Sequence, residues 1–220
     1  MKTTIEISNV KHFISSTSYL KIDRLVIDTM QNILIKTKVN SGLSAFLKLL
    51  SGVVSPDEGE ILIFGENLNY CSEAKYIEIK KTISYSYQHG VMVSNLTILE
   101  NLLLTLNFHF KELTYSERVN YIYDFIKSYD INHHLDKRPV DLGFMQKKIF
   151  GIIRSCLINP RLLILDEPFQ NLETKYCGIL ESLIERHIAK GNHIILGASL
   201  NQEFEFVNQT INYFPFVQQI

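Results

Sequence analysis

The sequence is poor in the residues that define several protein classes. It has no tryptophan, 3 cysteines, 5 prolines and 10 glycines among 220 residues. Cys71, Cys156 and Cys177 are odd in number and widely spaced, so they predict neither a disulfide framework nor a CxxC metal pair. Such a chain is expected in a reducing compartment. The low proline and glycine content also excludes collagen-like and low-complexity proteins.

An excess of charge and long apolar runs are missing as well. Lys plus Arg total 22 and Asp plus Glu total 23, which gives a net charge of −1. That balance argues against a nucleic-acid binder that relies on bulk positive charge. No stretch reaches the roughly 18 uninterrupted apolar residues of a membrane-spanning helix, and residues 1–7 lack the apolar run of a signal peptide. We therefore expect a soluble chain that binds no nucleic acid and is able to dock on a membrane partner.

The composition that remains is typical of one globular domain. Hydrophobic residues make up 46% of the chain and charged residues 20%, which is enough to build a core at this length. Apolar runs typical of strands alternate with segments of helical periodicity. The strand-like segments are 4–8, 19–27, 32–37, 60–64, 161–166 and 193–198, and the helical ones are 43–50, 95–108, 114–129, 146–157 and 173–190. Thr114 and Glu117 have the spacing of a capping box at the start of a helix. Strands that are apolar on both faces and alternate with helices predict an α/β fold with a parallel sheet covered on both sides.

An apolar run that ends in two acidic residues is the strongest chemical motif. A buried strand from Leu162 would deliver Asp166 and Glu167 to its carboxyl end, where parallel α/β sheets bind ligands. In P-loop NTPases the first of two such acids holds Mg²⁺ and the second polarises the attacking water. The same residues would also fit a helix-capping corner without a ligand.

Residues 37–44 lie between a predicted strand and a predicted helix, which is the place of the phosphate-cradling loop GxxxxGK[ST]. With this loop, the chain resembles the ATP-binding cassette (ABC) ATPase family over nearly its whole length. Further segments similar to that family are 46–52 and 56–61 after the loop, 85–88 at the Q-loop, 95–101 at the start of the helical subdomain, 136–139 before the signature and 159–168 around the Walker B strand.

The resemblance implies a fold and a division of the chain. The fold would be a P-loop NTPase-type parallel-sheet core with an N-terminal antiparallel β region and an inserted helical subdomain. Residues 1–220 would form one nucleotide-binding domain, with 1–92 and 159–220 in the core lobe and 93–158 in the helical and signature lobe. The chain stops soon after Asn212, so we expect the final hairpin of the family to be cut short.

The resemblance also implies site residues, position by position. ATP and Mg²⁺ are the ligands that it implies, and Glu167 holds the catalytic position. Phe13 stands near the aromatic residue that stacks on adenine, although it would fit the core equally well. The other nucleotide positions are Asn40, Ser41, Gly42, Ser44 and Ala45, and the Mg²⁺ positions are Ser44, Gln88 and Asp166.

Several positions depart from the family pattern. The first glycine of the phosphate loop is Thr37, and the lysine that contacts the β and γ phosphates is Leu43, which carries no charge. The switch histidine after the last core strand is Ser199. Lys36 or Lys38 would have to reach in from the other side of the loop to replace the missing lysine.

The family signature LSGGQ is replaced by Leu142, Gly143, Phe144, Met145 and Gln146. In the family, this segment of one subunit covers the nucleotide that the opposite subunit holds. Phe144 and Met145 put bulk where glycines let the backbone approach a phosphate. These residues also fit a simple helix start whose apolar side chains pack locally.

Two pairs of adjacent basic residues are assigned no function. We expect Lys147 and Lys148 to form a solvated face. Adjacent histidines do not share a helix face and no cysteine or acidic cluster completes a set, so His133 and His134 are read as a loop rather than a metal site.

The departures together change the expected activity. The family works as a head-to-tail pair with two nucleotides at the interface, and this chain lacks groups on both sides of such a site. Losing charge contacts to a transferring phosphoryl group costs orders of magnitude in rate. We therefore predict a degenerate ABC subunit with weak or absent ATP hydrolysis, which is a structural or regulatory partner of a membrane permease, an active ATPase, or both.

This prediction extends to assembly and location. The chain would form a homodimer, or a heterodimer with an intact ABC ATPase, and lie in the cytoplasm on the inner face of the cell membrane. Segments 88–92 and 166–169 are similar to ATPases of the Mla/MCE lipid-transport type. Two alternatives stay open: an active ATPase that uses Ser44, Gln88, Asp166 and Glu167, and a binding module that keeps the fold and touches no nucleotide.

Overall fold

The computed structural model describes residues 3–38, 41–199, 202–212 and 216–219. The strands of these residues are β1 (Thr4–Ser15), β2 (Ser18–Asp28), β3 (Ile33–Thr37), β4 (Glu58–Ile63), β5 (Ile83–Ser86), β6 (Leu162–Asp166), β7 (His193–Ser199), β8 (Gln209–Asn212) and β9 (Phe216–Gln219). Their α-helices are α1 (Leu43–Leu50), α2 (Glu73–Lys80), α3 (Ile98–His109), α4 (Tyr115–Ile126), α5 (Phe144–Cys156) and α6 (Thr174–Ala189).

A parallel sheet lies at the centre, with the strand order β5-β6-β7-β3-β8. Successive side chains of β6 point to opposite faces of this sheet. Leu163 and Leu165 pack in one apolar cluster with helices α3 to α6, whereas Leu162 and Ile164 pack in a second cluster with α1 and the antiparallel strands. The predicted α/β fold with a sheet buried on both faces is confirmed.

A separate antiparallel sheet has the order β4-β1-β2-β9, which confirms the predicted N-terminal antiparallel region. Strand β1 continues well beyond residue 8, where its alternation breaks off in the sequence. The break lies at Asn9, whose φ of 50° is left-handed, and the register between β1 and β4 shifts between Ser8 and Lys11. Because the pairing is irregular there, the alternation in the sequence did not predict that residues 9–15 continue the same strand. At the other end of the chain, β8 pairs with β3 and β9 with β2.

Three helices, α3, α4 and α5, lie between strands β5 and β6 in the sequence. Helix α3 begins at Ile98, three residues later than predicted, because Thr97 caps it. Asn101 is fully buried, and its side chain binds both backbone groups of Val93 and the carbonyls of Leu96 and Thr97, which holds the preceding segment in a turn.

The predicted capping box at the start of α4 is confirmed. The backbone N–H of Thr114 donates to Glu117 Oε2 at 2.7 Å, and the Thr114 hydroxyl accepts from the Glu117 N–H at 3.3 Å. Among the helices of the described residues, none combines the length and the apolar character needed to cross a bilayer. The division into lobes at residues 92 and 159 stays a prediction.

Candidate functional site

A cavity of about 440 Å³ opens where β1, β3 and the start of α1 meet the loop after β6. Most of the predicted site residues line it, namely Phe13, Ser41, Gly42, Ser44, Ala45, Gln88 and Glu167. Thr37 and Leu43, the two loop residues that differ from the family pattern, line it as well. Asn40 lies outside the described residues, and Asp166 is buried directly beside Glu167.

The residue that precedes α1 has a backbone conformation that favours glycine. Gly42 is the N-cap of α1 with φ 77°, a left-handed conformation that favours glycine. A Cβ on Gly42 would lie 2.8 Å from Ile14 Cδ1, so the space above it is also restricted. The Ser41 hydroxyl is buried and has no hydrogen-bond partner among the described residues. Free N–H groups at a helix start attract anions, so this end of the cavity favours a phosphate.

Leu43 occupies the lysine position as a core residue. Its side chain is only 7% exposed and belongs to the apolar cluster beneath the parallel sheet. It packs over Gly197 so tightly that a Cβ there would lie 3.1 Å from Leu43 Cδ2 and 2.7 Å from Leu47 Cδ1. The first turn of α1 is therefore held to β7 by aliphatic packing.

Ser199, the third residue that differs from the family pattern, lies on the strand next to Thr37. Thr37 and Ser199 pair across β3 and β7, and the side chain of Ser199 is outside the described part of the chain. Lys36 is buried on β3, and its Nζ lies 3.5 Å from Glu203 Oε1. Lys36 therefore does not fill the place of the missing lysine in this structure, whereas Lys38 lines the mouth of the cavity.

The carboxylate of Asp166 is buried at the end of β6. Its Oδ2 accepts a hydrogen bond from the Tyr85 hydroxyl at 2.7 Å, whereas its Oδ1 has no hydrogen-bond partner among the described residues. Burial and the charge of Asp166 raise the pKa of Tyr85, so this phenol stays a donor. In the sequence, Tyr85 is recognisable only as part of the segment similar to the Q-loop.

Glu167 follows with strained backbone, at φ 43°. Its carboxylate accepts from Gln88 Nε2 at 2.6 Å, and the same amide donates to Gln170 Oε1 at 2.5 Å. Burial, followed by the charge of Asp166, raises the pKa of Glu167. Gln170 was missed in the sequence because it lies in an irregular turn with no periodic signal.

Lys148 contradicts the prediction of a solvated lysine pair. Its side chain is 1% exposed, and its Nζ donates to the carbonyl oxygens of Glu167 and Gln170 at 2.7 and 2.8 Å. Burial lowers its pKa to about 8. The prediction failed because the turn after β6 covers this position of α5, and the sequence near Lys148 carries no sign of that contact.

The signature positions form the start of α5, which begins two residues earlier than predicted. Gln146 caps the helix, since its Oε1 accepts from the Gly143 N–H at 2.8 Å. Leu142 is buried, Met145 is half-buried and Phe144 is 40% exposed with its ring 5.6 Å from that of His89. An exposed phenyl ring therefore lies at the start of α5. A glycine at this position would leave the backbone N–H groups accessible.

The histidine pair lies in a short helical turn before α5. His134 is buried against Gln146, with 3.2 Å between His134 Nε2 and Gln146 Nε2, and its ring lies 4.0 Å from that of His133. Within the described residues, no group of three or more His, Cys, Asp and Glu side chains is placed to hold a metal ion.

The residues fit Mg²⁺ better than they fit a triphosphate. An unpartnered, buried carboxylate oxygen is the ligand type that Mg²⁺ prefers, and Asp166 Oδ1 supplies it. Gln88 uses its Nε2 in both bonds, which leaves its carbonyl oxygen as a second ligand of the right type. At the start of α1 the helix N–H groups are present, but the lysine charge of the family pattern is absent because Leu43 is aliphatic and buried.

Comparison with known proteins agrees with this geometry. The model of the ABC transporter family matches residues 31–170. The chain is 28% identical over 159 residues to the lipoprotein-releasing system ATP-binding protein LolD of Psychrobacter arcticus, which is 72% of this chain and 70% of that protein. It is 27% identical over 135 residues to the molybdate/tungstate import ATP-binding protein WtpC of Pyrococcus horikoshii, which is 61% of this chain and 37% of that protein. The chain thus spans well under half the length of WtpC.

Solved structures show the same fold. The dimeric ATP-binding cassette MJ0796 bound to ADP and Pi superposes with a TM-score of 0.76 at 21% identity, over 88% of this chain and 87% of that one. The cassette cbiO1 of Clostridium perfringens, described as part of the transporter complex cbiONQ, gives 0.66 at 22% identity over 90% and 79% of the two chains. With the family match over residues 31–170, the chain belongs to the ABC transporter family as an ATP-binding cassette.

Proposed function

We propose that this chain is a degenerate cassette subunit of an ABC transporter, impaired in ATP hydrolysis, that works as a structural or regulatory partner of a permease, of an active ATPase, or of both. The observation that carries the proposal is the packing of Leu43 into the core against Gly197. A buried aliphatic side chain gives no charge to a phosphate, and its packing ties the loop to the sheet.

The signature supports the same conclusion. Phe144 and Met145 replace two glycines at the start of α5, and Phe144 is exposed. A partner's nucleotide that met this surface would face an aromatic ring instead of bare backbone N–H groups. In our proposal the chain therefore completes no hydrolytic site, either in itself or in an opposite subunit.

A groove beside the Q-loop supports a permease partner. It has a volume of about 220 Å³ and lies between the core and α3, with Tyr87, Thr105 and Arg154 among its lining residues. Leu104 and Phe108, which are next in sequence to the lining residues Thr105 and His109, are exposed, as are Val91 and Val93 after the Q-loop. The segment is held in place, since Arg154 Nη2 donates to the Val91 carbonyl at 2.6 Å. We propose that this surface docks a cytoplasmic segment of the permease, which would hold the chain on the inner face of the membrane.

The docking proposal is tested by affinity capture of the permease from membranes of the native host. We expect Val91→Asp with Val93→Asp to abolish capture, because each change puts a charge on the apolar contact. Val26→Asp on β2 is the matched control, since Val26 is 50% and Val91 54% exposed. Equal capture of the permease by the natural chain, the double aspartate variant and Val26→Asp would refute this docking surface.

Impaired hydrolysis is tested with the purified chain at saturating Mg–ATP. We expect phosphate release no faster than that of Glu167→Gln, measured in the same preparation. A Mg²⁺-dependent rate that Glu167→Gln abolishes would overturn the proposal.

The alternative is an active ATPase with non-consensus ligands. It is favoured by the hydrogen bond between Gln88 and Glu167 and by the unpartnered oxygen of Asp166, which keep the metal side of the site intact. The same hydrolysis measurement separates the two. A lipid-type transporter stays part of the proposal on the strength of residues 88–92 and 166–169 alone, and the choice between homodimer and heterodimer is left to the capture experiment.

A further inference from the structure

Lys48 is a cation of the cavity wall that lies outside the family's phosphate-loop pattern. It lies on α1, four residues after Ser44, and lines the same cavity as Ser44 and Gln88. Its side chain is half-buried, and its Nζ lies 5.7 Å from the centre of the Tyr87 ring. The lysine therefore stands beside the Q-loop on the cavity wall, one turn below the phosphate loop.

Helix geometry directs this side chain toward the start of α1. Residues four apart lie on one helix face, separated by about 6 Å along the axis. Helical side chains lean toward the N-terminus of their helix. A lysine side chain spans about the same length as that rise, so the ammonium of Lys48 can reach the level of Ser44 without leaving the helix face.

Two other lysines near the site already have partners. Lys36 faces Glu203, and Lys148 is buried with both of its hydrogen bonds given to carbonyl oxygens. Within the described part of the chain, no carboxylate forms an ion pair with Lys48. An ammonium held only by an aromatic ring keeps its hydrogen-bond donors available for an anion.

A phosphate bound at the start of α1 would be stabilised by a nearby positive charge. Leu43 is uncharged, whereas the carboxylates of Asp166 and Glu167 lie at the same edge of the sheet. The Ser41 hydroxyl is buried and unpartnered among the described residues, which leaves a polar group there for a ligand. A phosphate at this loop would meet donors from the helix start and no cation from the usual position.

We infer that Lys48 supplies the positive charge that Leu43 cannot, by binding the phosphates of a nucleotide held at the start of α1. The inference rests on the proposed function, because it deepens the ligand binding of the same site. It gives the degenerate cassette a way to bind a nucleotide that it does not split.

The test is the affinity of the purified full chain for Mg–ATP and Mg–ADP, measured by titration calorimetry. We expect Lys48→Met to weaken binding about 10-fold or more, because charge-assisted hydrogen bonds to phosphate are lost. Lys48→Arg should retain affinity within about threefold, since the charge is kept. Binding of the natural chain should fall with added salt more steeply than binding of Lys48→Met.

Two further lysines serve as comparisons. Lys81→Met on the exposed end of α2 is the control, and it should bind like the natural chain. Lys38→Met tests the other lysine of the cavity wall and should weaken binding less than Lys48→Met. Each protein's thermal unfolding is recorded, and Lys48→Arg keeps the test valid if Lys48→Met folds poorly.

Three results would overturn the inference: equal affinity of Lys48→Met and the natural chain, a loss confined to Lys38→Met, or no binding by the natural chain at millimolar nucleotide. None of them contradicts permease capture or the absence of hydrolysis. A failure of the inference is therefore distinguishable from a failure of the proposed function.

Discussion

The side-chain amide of Gln88 donates a hydrogen bond to Glu167 across 2.6 Å, and thereby joins the end of β5 to the turn after β6. The same amide also binds Gln170. The carboxylate side of the cavity is thus held together by side-chain hydrogen bonds, whereas the side at the start of α1 is held by the packing of Leu43.

The amide of Gln88 is expected to stabilise the fold as well as the site. We predict that Gln88→Ala lowers the free energy of unfolding by about 2 kcal/mol, because a half-buried carboxylate loses its donor. Urea unfolding near neutral pH measures this loss. Gln209→Ala, at an exposed position of β8, is the control and should stay within about 0.5 kcal/mol of the natural chain.

Leu43 is expected to behave as a core residue. We predict that Leu43→Ala costs about 2–4 kcal/mol of stability, since it leaves a cavity above Gly197 and beside Leu47. Leu104→Ala is the matched control because Leu104 is 45% exposed. Equal unfolding midpoints for the two variants would show that Leu43 does not pack as described.

Lys148 should give the chain a pH dependence at alkaline pH. Its folded-state pKa of about 8 lies below the value of 10.5 for a free lysine, so the unfolded chain binds more protons between these values. The stability of the natural chain relative to Lys148→Met should therefore rise between pH 8 and pH 10.5, by roughly 3 kcal/mol. Urea unfolding of both proteins across this range measures the difference, and a difference that stays flat or falls would contradict a buried, depressed lysine.

His187 on α6 should dominate the response to mild acid. It is 4% exposed, its Nε2 lies 3.3 Å from the His193 carbonyl, and burial lowers its pKa to about 4. Because the unfolded chain takes up a proton near pH 6.5, stability falls as the pH drops from 6.5 to about 4. His187→Gln should lack this loss of roughly 3 kcal/mol, whereas His89→Gln, at an exposed position, should keep it.

The fold followed from the sequence where local patterns are strong. The apolar run before Asp166 and the capping box at Thr114 predicted β6 and the start of α4, because strand burial and helix caps depend on neighbours in the chain. Asn9 interrupted the alternation of β1, and only the pairing with β2 and β4 shows that the strand continues.

The site was less predictable, because its contacts join distant segments. The position of Leu43 was evident from the loop pattern, but its packing on Gly197 depends on a strand more than 150 residues away. Lys148 looks like a surface residue beside Lys147, and only the turn at Glu167 buries it. By contrast, the cap that Gln146 gives to α5 follows a known pattern of helix starts and was within reach of the sequence.

The central claim is that the chemistry of the assembly does not take place in this chain's own carboxylate site. The most direct measurement is the ATP turnover of the complex captured from its native host through this chain, with and without Glu167→Gln in this chain alone. Our account predicts that the two rates agree within about twofold, because Glu167 takes no part in hydrolysis. A loss of about 100-fold or more in the variant complex would contradict it and identify Glu167 as a working catalytic residue.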